Sequence, residues 1–264
     1  MPNGEHGRND AERWFERYLG EHDYEYEYEP DFDGVETRPD FLARRAAVEM
    51  VCEVKGFEEP PALERRAVEG QPMMLSDDEV YGPMRNAVRE AARQLRPLRE
   101  SQLPLIVVLA NPRGFFVDLK LDRLVEAMYG NPGWVGQFDA DEGRVENLRF
   151  EHGRDGRLRN DHPYISAVGI VHERELAREH FDRWFAEWKA GREPLRGADV
   201  EAMVAEAQAA MEAWEASDEA ANLPEGNVHL VELLTTGSPG AVPVPENVFD
   251  GPRDQRFDVV REAQ

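Results

Sequence analysis

Apolar residues recur at helical spacing over residues 9–22, where Ala11, Trp14, Phe15, Tyr18 and Leu19 fall on one stripe. The spacing predicts a helix capped by Asn9 or Asp10. Residues 23–30 switch to a period of two. Tyr24, Tyr26 and Tyr28 alternate with Glu25, Glu27 and Glu29, and Pro30 ends the run. That pattern predicts a half-buried strand. Two more strands are expected on either side of a short turn at Arg44 and Arg45. In the second of them Val48, Met50, Cys52 and Val54 share an apolar face, while Glu53 and Lys55 share the opposite one. The chain thus opens helix, strand, strand, strand.

Residues 57–79 mix proline and charge and read as a loop. Over residues 79–100 the stripe Met84, Val88, Ala91, Leu95 and Leu98 predicts a helix, which Pro97 should kink or end near Arg96. The continuous apolar run 105–110 then predicts a strand buried on both faces. Downstream come a short strand at 115–117, a helix over 121–129 and a loop over 134–162 with a hairpin at 153–156. A second buried strand at 165–171 is flanked by His162 and His172. Two isolated histidines at strand ends read as structural or solvent-exposed, and their spacing makes no metal signature.

Residues 173–216 read as an antiparallel helical pair. The first helix is expected to bury Leu176, Phe181, Trp184, Phe185 and Trp188. The second is expected to bury Val200, Met203, Val204, Ala207, Met211 and Trp214. Such stripes serve core or oligomer contacts, and a homodimer is one expectation. A strand at 228–234 should rejoin the main sheet, followed by a surface tail with a short strand at 256–260. The expected organisation is a core over 1–172 and a helical-pair insertion over 173–222. The returning strand and tail, 223–264, belong to the same domain as the core.

Composition narrows the class. Hydrophobic residues make up 41% and charged residues 32% of 264 positions, which suits a soluble globular chain. No apolar run is long enough to span a membrane, and residues 1–14 lack the apolar segment of a secretory signal. The single cysteine, Cys52, excludes an intrachain disulfide, so a cytoplasmic location is expected. The net charge of −23 opposes a nucleic-acid partner. Against that background Arg85, Arg89, Arg93 and Arg96 recur at steps of four, four and three, beside the apolar stripe of their helix. They form a candidate phosphate-binding row, with the alternative that acids elsewhere in the fold pair them. Lysine is scarce: only Lys55, Lys120 and Lys189 occur.

The candidate chemistry lies at Pro39-Asp40 and Glu53-Val54-Lys55. A hairpin would bring Asp40 beside Glu53 and Lys55 at one end of a sheet. Two close carboxylates repel, and a divalent cation relieves them. This pair of motifs, preceded by a helix and strand and followed by a basic helix and a buried strand, resembles the signature of the PD-(D/E)xK nuclease superfamily. The resemblance covers roughly the first two-thirds of the chain.

It implies an α/β fold with a restriction-endonuclease-like mixed sheet flanked by helices, here carrying a C-terminal helical insertion. It also implies a magnesium-dependent nuclease, a hydrolase acting on phosphodiester bonds, with DNA the expected polymer and Mn²⁺ a workable substitute for Mg²⁺. Asp40, Glu53 and Lys55 would be the catalytic residues. Asp40, Glu53 and the Val54 carbonyl would bind metal, helped by a first-helix glutamate, Glu12 in preference to Glu16. Gln94 is a further candidate, as a polar residue supplied by the helix after the Glu-x-Lys strand. The alternative is a catalytically silent member of the fold, used for binding or assembly. A third reading is an ordinary α/β protein with a chance motif.

Overall fold

The computed structural model describes residues 8–57, 77–112, 117, 119–130, 132–139, 144–152, 161–190 and 200–258. The expected loop over 57–79, the short strand at 115–117 and the hairpin at 153–156 fall wholly or largely outside them. The chain divides into two compact units, residues 1–172 with 230–264, and residues 173–229.

In the first unit, helix α1 (Asp10–Glu21) precedes strands β1 (Glu25–Tyr28), β2 (Phe41–Arg45) and β3 (Val48–Gly56). Helix α2 (Asp77–Leu95) runs into a 3₁₀ turn (Arg96–Leu98), where Pro97 removes a helical N–H. Strand β4 (Leu105–Ala110) and helix α3 (Leu121–Tyr129) follow. Next come β5 (Pro132–Asp139), β6 (Arg144–His152) and β7 (Ala167–Glu175). Strand β8 (Asn227–Thr235) and β9 (Gln255–Asp258) close the chain. The main sheet has seven strands in the order β1-β2-β3-β4-β7-β8-β9. β1, β2 and β3 pair antiparallel, while β3, β4 and β7 run parallel. The fold is therefore α/β, a mixed sheet with helices on both faces.

Strand alternation sorts the core. On one face Met50, Cys52 and Val54 of β3 join Ile106, Val108 and Ala110 of β4 under Ala11, Phe15, Tyr18 and Leu19 of α1. On the other, Val51, Leu105, Val107 and Leu109 lie under Met84, Val88, Ala91 and Leu95 of α2 and Leu124 and Met128 of α3. All six residues of β4 are buried, as a strand at the sheet centre requires. Each buried aliphatic side chain of this kind contributes about 1.5–3 kcal/mol. Gly56 lets α1 sit close, because a Cβ there would lie 3.1 Å from the Ala11 Cβ.

Several expectations need correction. Arg44 and Arg45 lie within β2, and the turn falls at Ala46 and Ala47, with Ala46 at φ +54°. Neither alanine carries a turn signal, so the reversal is imposed by the β2–β3 register. Residues 132–139 and 144–152 form a two-stranded antiparallel sheet where a loop was expected. The second buried strand starts two residues later, at Ala167, and extends to Glu175.

In the second unit, α4 (Leu176–Ala190), α5 (Val200–Glu215) and the short α6 (Asp218–Ala221) are present. None of the α4 residues is fully buried. Phe181, Trp184, Phe185 and Trp188 stack along the helix half-exposed, and Phe181 and Trp184 meet Trp214 of α5 at 5.3 and 5.2 Å. On α5 Trp214 is buried, whereas Val204, Ala207 and Met211 are exposed. The side chains of Val200 and Met203 lie outside the described set. Two helices offer one seam to each other, and the aromatics of α4 with Ala210 and Trp214 fill it, so Val204, Ala207 and Met211 stay outside.

Candidate active site at the β2–β3 end

Strand β3 is longer than β2. It pairs with β4 as far as Gly56, but its partnership with β2 stops at Phe41 opposite Cys52. The stop has a covalent cause, since Pro39 has no N–H to continue the ladder. The Asp40 side chain takes over there. Its Oδ2 accepts the Val54 N–H at 2.7 Å, while its own carbonyl accepts the Glu29 N–H at 2.9 Å. The Pro-Asp pair therefore sits just before the start of β2 and turns its carboxylate onto the uncovered edge of β3.

Glu53 and Lys55, on the β3 face opposite Cys52 and Val54, complete the cluster. Glu53 is 1% exposed. Its Oε1 accepts from Lys55 Nζ at 3.0 Å, and its Oε2 is buried without a hydrogen-bond partner. Burial pushes the Glu53 carboxyl up to about 7, the Asp40 charge adds to this, and Lys55 and the Asp40 backbone N–H offset part of it. Burial likewise raises Asp40 to about 6; the Val54 N–H and Lys55 oppose the rise, and the charges of Glu12 and Glu29 add to it. Burial pulls the Lys55 ammonium down, but the charge and hydrogen bond of Glu53, then Glu90 and Asp40, outweigh it and leave its pKa above the usual value. Two carboxyls that resist ionisation thus share one lysine that keeps its proton.

Glu90 of α2 joins the cluster, a residue that the sequence motif did not single out. In the fold its Oε1 lies 3.4 Å from Lys55 Nζ. Gln94, one turn further along α2, is half-buried, and its Oε1 is buried without a hydrogen-bond partner.

Glu12 is buried beside Asp40 and raises its pKa, but both its oxygens are engaged. The Asn9 side-chain amide donates to Oε1, while the Asn9 N–H at 3.3 Å and the Tyr28 hydroxyl at 2.9 Å donate to Oε2. The Asn9 side chain accepts the Glu12 N–H in return, a capping box at the start of α1. Glu16 is turned away, bonded to Arg8 and Tyr26.

Among the described residues no three His, Cys, Asp or Glu side chains group closely enough to hold a metal by themselves. The donors that fit a hard cation here are the two carboxylates of Asp40 and Glu53 with a backbone oxygen. The unpartnered Glu53 Oε2 is the atom such an ion would satisfy.

The arginine row does not form one uniform face. Arg85 is half-buried over the Tyr81 ring at 5.6 Å, whereas Arg89, Arg93 and Arg96 are exposed. Arg93 Nε donates to the Arg89 carbonyl at 3.3 Å. The hairpin arginines are committed to acids, Arg44 to Glu49 at 2.6 Å and Arg45 to Asp250. His172 pairs with Glu232 at 3.4 Å, while His162 lies elsewhere, beside Tyr164.

No helix among the described residues is long and apolar enough to cross a membrane. Comparison with known family models, with curated proteins and with solved structures finds no match to this chain.

Proposed function

We propose that the chain is a metal-dependent nuclease of the restriction-endonuclease-like fold, hydrolysing phosphodiester bonds, with DNA as the expected substrate. The observation that carries this reading is the buried Glu53 carboxylate with one unpartnered oxygen, set beside Asp40 and bridged to Lys55. A buried acid pair is expensive unless something cationic joins it. The order helix, three antiparallel strands, crossover helix and parallel strand supports the same assignment.

Asp40, Glu53 and the Val54 carbonyl would hold Mg²⁺ or Mn²⁺. Bound there, the ion would lower the pKa of a water and neutralise charge growing on the phosphate. Glu12 contributes by its charge next to Asp40, and to bind directly it would have to release Asn9 or Tyr28. Lys55 stays an ammonium at neutral pH, so its role is to hold a water or phosphate oxygen and to stabilise the transition state, not to act as the base. Glu90 fixes the ammonium from the α2 side.

The test is incubation of the pure protein with Mg²⁺ or Mn²⁺ and labelled DNA and RNA. Metal-dependent cleavage is expected, lost in chelator and lost in Lys55→Ala, whose metal binding by calorimetry is retained. Turnover in Lys55→Ala would remove the lysine from the mechanism. A wild-type protein that binds DNA but never cleaves it would be the catalytically silent alternative.

A further inference from the structure

A second concave site lies where α2 ends and the 3₁₀ turn begins. Arg93, Arg96 and Arg99 line a pocket of about 510 Å³ together with Glu100, Asp161, His162, Pro163, Tyr164 and Gly240. Its size suits a ligand as large as a nucleotide. The sequence holds 54 acids against 31 lysines and arginines, so unpaired arginines are not expected. Yet among the described residues neither Arg93 nor Arg96 has a carboxylate within ion-pair distance. Arg99 has only Glu100, at 3.5 Å and on an 84% exposed side chain. Glu100 and Asp161 are both exposed, so water screens them at the rim.

The wall behind the arginines is ordered. The Tyr164 hydroxyl donates to the Ala92 carbonyl at 2.8 Å. Its oxygen is then an acceptor, and His162 Nδ1 lies 3.3 Å from it. That arrangement leaves His162 Nε2 to titrate. Burial holds the His162 pKa below its usual value; Asp161 opposes this, and Arg89, Arg93 and Arg96 add to it. An anion among those guanidinium groups would reverse their effect and supply an acceptor for a protonated Nε2.

We infer that this pocket binds a phosphate monoester, the phosphorylated end of a nucleic-acid strand or a free mononucleotide. A monoester carries close to two charges at neutral pH and offers three free oxygens, which three forked guanidiniums can share. An internal diester has one charge and two free oxygens, and would use Arg89 and Arg93 on the open helix face equally well. The strand-end form rests on the nuclease reading above; the monoester pocket itself does not.

The experiment is fluorescence anisotropy in EDTA, where turnover is suppressed, with labelled single-stranded DNA ending in 5′-phosphate, 3′-phosphate or hydroxyl only. One phosphorylated end should bind about tenfold more tightly than the hydroxyl-ended strand. Arg99→Gln should erase that preference while leaving the hydroxyl-ended strand bound within about twofold, and Arg96→Ala should weaken the phosphorylated strand more than the hydroxyl-ended one. AMP should displace the phosphorylated strand and move the His162 ring proton titration upward by NMR. If AMP shifts His162 but end phosphates give no preference, the ligand is a free monoester. If neither end phosphate nor AMP is recognised, or Arg96→Ala and Arg99→Gln change only the melting temperature, the pocket inference is overturned. Failure of cleavage with Mg²⁺ would instead count against Asp40, Glu53 and Lys55.

Discussion

Asp40→Asn separates a metal-binding acid from a structural one by the sign of its effect on stability. In EDTA the folded chain holds protons on Asp40 to about 6 and on Glu53 to about 7, against ordinary values of 3.8 and 4.5. Between about pH 4 and pH 7 the folded state therefore binds more protons than the unfolded one, and stability falls as pH rises through that window. Ionising Asp40 in the fold costs up to roughly 3 kcal/mol, at 1.36 kcal/mol per pH unit of displacement. Asparagine removes the charge and still accepts the Val54 N–H. It gives up the attraction to Lys55 and the charge-assisted part of that hydrogen bond, which leaves a net gain of about 1–2 kcal/mol at pH 8. For a chain of this size that is a rise of about 2–4 °C in melting temperature. At pH 5, where Asp40 is already protonated, the two proteins should melt within about 1 °C. With Mg²⁺ at about a hundred times its dissociation constant the wild type gains about 2.7 kcal/mol and the order reverses. Differential scanning fluorimetry at pH 5, 6, 7 and 8, with EDTA or Mg²⁺, reads all of this. A variant less stable than wild type at pH 8 in EDTA, or a gap that does not change with pH, would refute the reasoning and make Asp40 only the acceptor for the Val54 N–H at the start of β2.

Two other perturbations test the surroundings. Glu12→Gln keeps the capping box, since glutamine serves at that position, and removes a charge beside Asp40. The Asp40 pKa should therefore fall by NMR titration while the melting temperature in EDTA stays level or rises; a fall of more than about 1 kcal/mol in stability would show that the carboxylate charge holds the cap. Arg89→Ala with Arg93→Ala removes two exposed cations, so stability should hold while the salt dependence of DNA binding flattens by about one unit per lost phosphate contact. An unchanged slope would move the polymer to another surface.

Local pattern was enough for α1, β3, β4 and the stripe of α2, because a period, or in β4 an unbroken apolar run, survives without its neighbours; β1 forms, but Tyr26 on its expected buried side is 37% exposed. The same alternation put Glu53 and Lys55 on the face opposite Cys52 and Val54, and the Pro-Asp pair marked where β2 begins. The Ala46-Ala47 turn was not legible, since alanine carries no turn chemistry and the reversal comes from pairing. Residues 132–139 and 144–152 hid a pair of strands because Gly, Asp and Arg interrupt their alternation, and only the partner strand makes the pattern visible. The helical pair carried more apolar positions than one seam between two helices can bury, so Val204, Ala207 and Met211 were assigned to a core that does not reach them. Glu90 beside Lys55, and His162 and Tyr164 beside Arg93, Arg96 and Arg99, were decided by tertiary structure alone, whereas Glu12 was expected near Asp40 from the family resemblance. Charge and hydrogen bonding act over a few ångströms, and only the folded sheet brings side chains that far apart in the chain within that range.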